Sequence, residues 1–488
     1  MEMKSILFLD RAPLTHLYAR MSKYLQDVNV THVAYNENDV EILKSYGLKA
    51  DYVLMELFKK EYDSCDVSQE VLDSIDNDLI EQSKGRFNLN ASIQSDRSFT
   101  VLSYEEALRS AVSYYNIWNS IFAKGHVDLV AHEPCSLFFN HICSILCKKQ
   151  GGVYSYQIAS LSDKYEYSYL NANNDDYDFA ELKYNFKKYL KNPELIDKER
   201  TKIFIDKFRE DNKVFLGNIL NRKQSYSKLL LMSIKRSINC LIMNKKFDRV
   251  YDPINYWIVH NNVSWLKLKN AFGYKRKHIR FESDYRHDEK FLFYPIHLEP
   301  EAVVLYLGDG LYRNQTKLIE NIAASLPAGY YLYVKDHPHE YAYREPIDYE
   351  RLQRVPNIRL LNQWLPGKEV IRQSQGVVTI NGSAGFEAYM LGKPVYSFGN
   401  NQYSFLSNVY KVDNIRDLRD IVYKSTAECV INEEELDAYV MAYLESCHPG
   451  YMDCYTGGAY LDGFDYEKNA KTLAEDMKGY VFFLKKQL

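Results

Sequence analysis

Three short stretches of this chain place polar groups where strand ends would present them. Val334-Lys335-Asp336-His337-Pro338 follows an apolar run, and Pro338 lacks an N–H and favours an extended entry. An imidazole held there can donate to a phosphate oxygen or protonate a departing one, and Lys335 adds a cation two residues earlier. Asn381-Gly382-Ser383-Ala384-Gly385 lies between the β-branched run 377–380 and a helical pattern. Glycines let backbone approach a ligand, Ser383 can cap the helix, and the first N–H groups of a helix attract anions. Glu387 follows Ser383 by four residues, on the same helix face. These residues predict a site for a phosphorylated ligand. His337 is the catalytic candidate; Lys335, Pro338, Asn381, Gly382, Ser383, Ala384, Gly385 and Glu387 are the binding candidates.

Other groups stand at strand ends. Glu299 and Glu301 follow the apolar run 291–296, and Glu299 is a candidate for acting on a bound sugar or acceptor. Asp309, in Leu307-Gly308-Asp309-Gly310, is a further acid, although a glycine-flanked Asp also suits a plain turn. In the first half, Asp10-Arg11 and His132-Glu133 end their strands. Glu133 can take a proton from a hydroxyl, act as a nucleophile, or serve only as an acid at a helix N-terminus. His339 reads as incidental. Asp175-Asp176, in the polar segment 171–178, reads as solvated, so no acidic pair in a strand context calls for a metal. Cys447-His448 with Cys454 is half of a metal site without a second half.

Positioning these groups takes alternating strands and helices. The first half predicts strands at 6–9, 30–35, 128–131 and 153–157, with helices at 14–25, 104–124 and 136–149 and a polar, loop-rich region over 60–100. Residues 180–285 are rich in Lys, Asn, Asp and Tyr with helical periodicity. The alternation then resumes with strands at 303–307, 330–335, 358–361, 377–380 and 395–398, and residues 415–488 read as mostly helical. The expected fold is α/β: two Rossmann-like αβα lobes with a helical insertion and a helical C-terminus. The expected divisions are an acceptor-side lobe over 1–180, an insertion or linker over 181–285, and a nucleotide-sugar lobe with closing helices over 286–488.

At 488 residues the chain exceeds one core, and its net charge of −4 argues against nucleic acid as a partner. Eight scattered cysteines without a CxxC pair fit a reduced, cytoplasmic protein, and the N-terminal apolar run is too short for a signal peptide. Two segments suit a membrane surface, 226–247 and 478–488, where Leu, Ile, Met or Phe alternate with Lys and Arg. They make the inner face of the cytoplasmic membrane a candidate location.

The second half resembles the capsule polysaccharide biosynthesis family, whose characterised members include β-Kdo transferases that use CMP-Kdo. The likeness runs through Tyr294-Pro295-Ile296-His297-Leu298-Glu299, through the His337-Pro338 element, and through Thr379-Ile380-Asn381-Gly382-Ser383-Ala384-Gly385-Phe386-Glu387-Ala388 with Gly392-Lys393-Pro394-Val395. It departs at His297, where relatives often carry Gln, and at Pro300, where they carry an acid. The resemblance implies a GT-B-type glycosyltransferase of capsule or lipopolysaccharide assembly. It would move a CMP-activated ulosonic acid, Kdo or a nonulosonic acid such as pseudaminic acid, to a glycan or lipid-linked acceptor without a metal or other cofactor. It implies that Glu387 holds the nucleotide ribose, and the HP element shared with bacterial sialyltransferases points to the CMP donor. In those enzymes an Asp in a turn like that of Asp309 is the general base. A UDP-sugar transferase or epimerase, and a non-catalytic assembly or export partner, are the alternatives.

Overall fold

The computed structural model describes residues 3–11, 13–211, 226–243, 246–261, 263–338, 342–428, 432–452, 461 and 463–487. It divides into two units: Met1–Ile196 with Arg249–Pro253 and Ala438–Leu488, and Asp197–Asp248 with Ile254–Asp437.

The first unit is built on β1 (Ser5–Asp10), β2 (Asn29–Ala34), β3 (Tyr52–Val53), β4 (Leu129–Ala131), β5 (Val153–Ala159) and β6 (Ser168–Asn173). Strands β3-β2-β1-β4-β5 lie side by side and parallel, and β6 joins β5 antiparallel. All six residues of β1 are buried, as expected of a central strand covered on both faces. Helix Tyr104–Phe122 starts at a capping box in which Ser103 and Glu106 satisfy each other's backbone N–H groups. Strand order reverses between β1 and β4, so the ends at Asp10 and Ala131 flank a crevice of the kind that receives ligands.

The second unit is built on β7 (Lys290–Pro295), β8 (Tyr330–Lys335), β9 (Ile358–Leu361), β10 (Val377–Thr379), β11 (Val395–Ser397) and β12 (Val409–Lys411). Their order is β12-β11-β10-β7-β8-β9, all parallel. Counted from β7, this is the doubly wound order 3-2-1-4-5-6, with its switch point between β7 and β10. Both units are Rossmann-like αβα layers, as the alternation of strands and helices predicts.

Several local expectations fail. Residues 303–307 form no strand. Val304, Leu305, Tyr306 and Leu307 are buried in successive turns, with Leu305 N–H donating to Glu301 O and Gly310 N–H to Leu305 O. A short apolar run fits a buried coil as well as a strand, and periodicity cannot separate them. The segment 60–100 is not loop-rich: it holds helices Leu54–Ser64, Gln69–Gln82 and Leu89–Ser95. Their apolar anchors, among them Phe58, Ile75, Leu79 and Ile93, are few but fully or almost fully buried. Residues 168–173 are a strand, and Asp175 is fully buried rather than solvated. Burial works to raise its carboxyl, but the paired Arg86, together with His141 and Lys148, outweighs that and holds it down at about 2.

The expected division 286–488 also differs. A last strand, β13 (His448–Pro449), pairs antiparallel with β6 of the first unit. The helix Tyr466–Gln487 buries Ala470, Leu473, Ala474 and Met477 against Leu14, Leu17, Tyr18 and Met21 of helix Pro13–Ser22. The expected insertion 181–285 is split: residues up to Ile196 and 249–253 fall in the first unit and the rest in the second.

Candidate functional site

The switch point of the second unit is closed by an imidazole. His297, two residues past β7, is buried, and its Nδ1 donates to Pro295 O at 3.1 Å. That fixes the tautomer, leaving Nε2 as an acceptor. Nε2 receives the Ile380 N–H at 3.2 Å, the Asn381 N–H at 3.3 Å and the Thr379 hydroxyl at 3.2 Å. Burial depresses its pKa to about 4, so the ring is neutral at pH 7. Behind it Gln315 receives the His297 N–H at 2.9 Å and the Tyr294 hydroxyl at 3.1 Å, and donates to His297 O and to Glu299 Oε1. The ring therefore staples the end of β7 to the turn after β10.

That turn leads into helix Ser383–Met390. Gly382 is its N-cap, without a side-chain cap. Gly382 N–H donates to Thr379 Oγ1 at 3.0 Å, and Gly382 O accepts from the Tyr403 hydroxyl. Helix geometry leaves the N–H groups of Ser383 and Ala384 without intrahelical acceptors. Ser383 is exposed and Ala384 half-buried. Asn381 is buried; its amide donates to Leu307 O at 3.1 Å and its Oδ1 has no hydrogen-bond partner among the described residues. Gly385 serves packing: a Cβ there would lie 2.3 Å from the Tyr403 hydroxyl oxygen.

One turn into the helix, Glu387 lies within the electrostatic reach of Lys368 and Lys335. Burial lifts its carboxyl to about 7, although Lys368 and Lys335 pull the other way. Burial lowers Lys335 to about 8 against the opposing effect of Asp336 and Glu387. Lys335 Nζ donates to Gln363 O at 3.3 Å, and Lys368 Nζ to Phe208 O at 2.9 Å and Asp211 O at 2.7 Å. Strands β8 and β10 flank β7, so their ends are about 10 Å apart on one edge of the sheet. The mutual field of Lys335 and Glu387 joins them.

His337 and Pro338 are half-buried just past β8, and the His337 N–H donates to Asp336 Oδ1 at 2.9 Å. Asp336 is buried and also accepts the Tyr349 hydroxyl. Arg344 lies 3.1 Å from Glu299 Oε2 and 4.0 Å from Asp336 Oδ2. Burial opposes the Arg344 charge, but Glu299 and Asp336 outweigh it and hold it cationic. His339 lies outside the described residues.

The first unit presents its own constellation. Asp10 ends β1 fully buried, its Oδ2 2.8 Å from His32 Nδ1 and its Oδ1 without a hydrogen-bond partner among the described residues. Burial raises its pKa to about 6 against the His32 hydrogen bond. His132 is buried, donates from Nδ1 to Leu9 O at 2.9 Å, and is pushed down to about 4 by burial. Glu133 is partly exposed, 3.8 Å from Arg11 Nη1.

The sheet edge of the second unit thus gathers Lys335, His337, Pro338, Asn381, Gly382, Ser383, Ala384, Gly385 and Glu387 around one switch point. Two of these expectations change. Asn381 spends its amide on Leu307, and Gly385 is small for Tyr403. Glu299 is tied to Gln315 and Arg344, so it supports the strand end rather than facing it alone. Asp309 has φ +58°, a turn conformation that Asp tolerates. Glu133 belongs to the other unit. The reading of residue types missed Gln315, Arg344, Lys368 and Tyr403, which are remote in sequence. It also left His297 without a role, although a histidine two residues past an apolar strand was a signal. Among the described residues no cluster of His, Cys, Asp and Glu fits a metal ion. His448 is instead paired with Glu181 and Asp476, and Cys454 lies outside the described residues.

Comparison with solved structures finds weak likenesses. UDP-GlcNAc 2-epimerase from Neisseria meningitidis is 12% identical, covering 97% of this chain and 99% of that one, at a TM-score of 0.25. The β-Kdo 2,4 transferase KpsC from Thermosulfurimonas dismutans is 14% identical over 71% of this chain and 87% of that one, at 0.30. Its β-Kdo 2,7 transferase counterpart is 16% identical over 52% and 68%, at 0.25. Scores this low carry no argument about function. No curated protein matches the chain in sequence. One family profile does, that of the capsule polysaccharide biosynthesis protein, and it spans residues 245–408, which hold β7 through β11 and the whole second-unit site. Over those residues the chain is similar to the capsule polysaccharide biosynthesis family.

Proposed function

We propose that this protein is a glycosyltransferase of capsule or lipopolysaccharide assembly that transfers a CMP-activated ulosonic acid, Kdo or a nonulosonic acid, to a glycan or lipid-linked acceptor. The observation that carries the reading is the uncapped N-terminus of helix Ser383–Met390 with Lys335 and Glu387 beside it. In this reading the Ser383 and Ala384 N–H groups and the Ser383 hydroxyl receive the donor phosphate, and the helix dipole favours its charge. Glu387, as a carboxylate, accepts from ribose hydroxyls. His337 donates to the departing phosphate oxygen. The bond from the anomeric carbon to that oxygen breaks, CMP leaves with the electron pair, and the acceptor oxygen takes its place. The acceptor hydroxyl loses its proton to a carboxylate. Lys335, His337 and the helix end stabilise the leaving charge in place of a divalent ion.

The test is an assay with a panel of CMP-ulosonic acids and mass detection of product, alongside thermal shifts with CMP and UDP. Transfer from at least one CMP donor, unaffected by chelator, and stabilisation by CMP rather than UDP are expected. His337→Ala should lower turnover by about 10²–10³ without changing the melting temperature. Stabilisation by UDP alone, or normal transfer by that variant, contradicts the reading.

A further inference from the structure

Helix Tyr226–Met243 of the second unit wears its polarity inside out. Ser233 is fully buried, and Ser237 and Cys240 are half-buried, at the three- and four-residue spacing of one helix face. This small, polar side packs on helix Val263–Arg276, whose Trp265 donates from Nε1 to the Ser237 hydroxyl. The adjoining exposed side carries Leu230, Leu231, Ile234, Ile238, Leu241 and Ile242, with Leu231 69% and Leu241 72% exposed. These positions also recur every three to four residues, so they form one stripe. Amphipathic helices on a water-facing surface have the reverse arrangement. Ile258, Trp265 and Phe272 on the next two helices are exposed as well. Of 21 exposed large hydrophobic side chains among the described residues, ten fall between 230 and 272. A concentration of this kind marks a surface that something covers.

Charge identifies the cover. Residues 226–280 contain twelve Lys and Arg against two acids, Asp248 and Asp252, in a chain of net charge −4. Lys235, Arg236, Lys246, Lys269, Lys275 and Arg276 are exposed. A second copy of the chain would bring two such cationic rims together, which like-charge repulsion opposes. An anionic bilayer complements both the stripe and the charge. The helix does not cross it: no described helix is long and apolar enough, and Lys235 and Arg236 sit at mid-helix. The other sequence candidate, residues 478–488, is already occupied within the first unit. Tyr480 and Val481 are buried and Lys485 lies 2.6 Å from Asp128; Leu488 is outside the described residues.

We propose that helix Tyr226–Met243 lies in the plane of an anionic membrane surface, its Leu/Ile stripe at the acyl boundary and the surrounding lysines and arginines among the headgroups. This inference is independent of the transfer reaction. The test is flotation of the full chain with vesicles of neutral phosphatidylcholine and with vesicles containing about 30% phosphatidylglycerol. Binding to the anionic vesicles should exceed that to neutral ones by about tenfold and should reverse at about 0.5 M salt, a result needing no variant. Leu231→Ser with Ile238→Ser and Leu241→Ser, and separately Lys235→Glu with Arg236→Glu, should each lower binding about tenfold while circular dichroism is unchanged. Wild-type protein that stays free of anionic vesicles at low salt overturns the proposal. So does binding unaltered in both variants, or a concentration-dependent dimer that the serine variant abolishes in a protein without lipid affinity.

Discussion

At the scale of single residues, the candidate site of the second unit holds two groups whose charges burial has moved toward neutrality. Glu387 titrates near 7 and Lys335 near 8. In the proposed function a ribose hydroxyl needs the Glu387 carboxylate as acceptor, and that form is lost as pH falls below about 7. The phosphate benefits from the Lys335 ammonium, which is lost as pH rises above about 8. Affinity for CMP, measured by calorimetry, should therefore peak between those values and decline on both sides. Glu387→Gln should flatten the acid limb and Lys335→Met the alkaline limb. A profile that is flat in the wild type removes both groups from ligand binding. The sequence marked these two residues by their place after a strand and one turn into a helix. It gave no sign that each lies in the other's field, because that requires β8 and β10 to flank the same strand.

At the scale of elements, the β7 end and the β10 turn are held by one neutral ring. His297→Ala would leave the Ile380 and Asn381 N–H groups unpaired in a buried place, at about 1–3 kcal/mol for each group left unsatisfied. Denaturant unfolding should register a loss within that order, together with weaker CMP binding as the turn loosens. His297→Gln keeps a side-chain acceptor and should lose less. Equal stability of the alanine variant would show that the staple is unnecessary. The residue was legible as part of a motif, but its tautomer and partners depend on a carbonyl two residues back and a strand some 80 residues away. The failed strand at 303–307 belongs to the same scale: its apolar character was read correctly, and its shape was decided by packing.

At the scale of the whole molecule, the C-terminal segment returns to the first unit, and His448 fastens it there. Its Nε2 is 2.7 Å from Glu181 and its Nδ1 2.5 Å from Asp476. Burial opposes the charged ring, but the two carboxylates prevail and raise its pKa to about 10. A histidine whose folded pKa lies above its unfolded value stabilises fully below about 6.5, and that contribution is lost as pH rises through about 10. Thermal melts should show the decline across this window, and His448→Gln should abolish it while destabilising the protein by about 3 kcal/mol, since two carboxylates then face each other. A pH-independent melt in the wild type would contradict the pairing.

The sequence by itself determined the α/β class, most strands and helices, and the polar turns after β8 and β10. Those depend on neighbours within a few residues: apolar runs, a proline after His337, glycines before a helix. Tertiary structure alone decided which side chains share a partner. Asn381 turned to Leu307, Gly385 made room for Tyr403, Asp175 met Arg86, and residues 438–488 rejoined the first unit. It also decided which face of helix Tyr226–Met243 points outward. The physical reason is the same in each case. Local patterns fix the conformation of a segment, whereas burial and hydrogen-bond partners come from chain brought close only by folding.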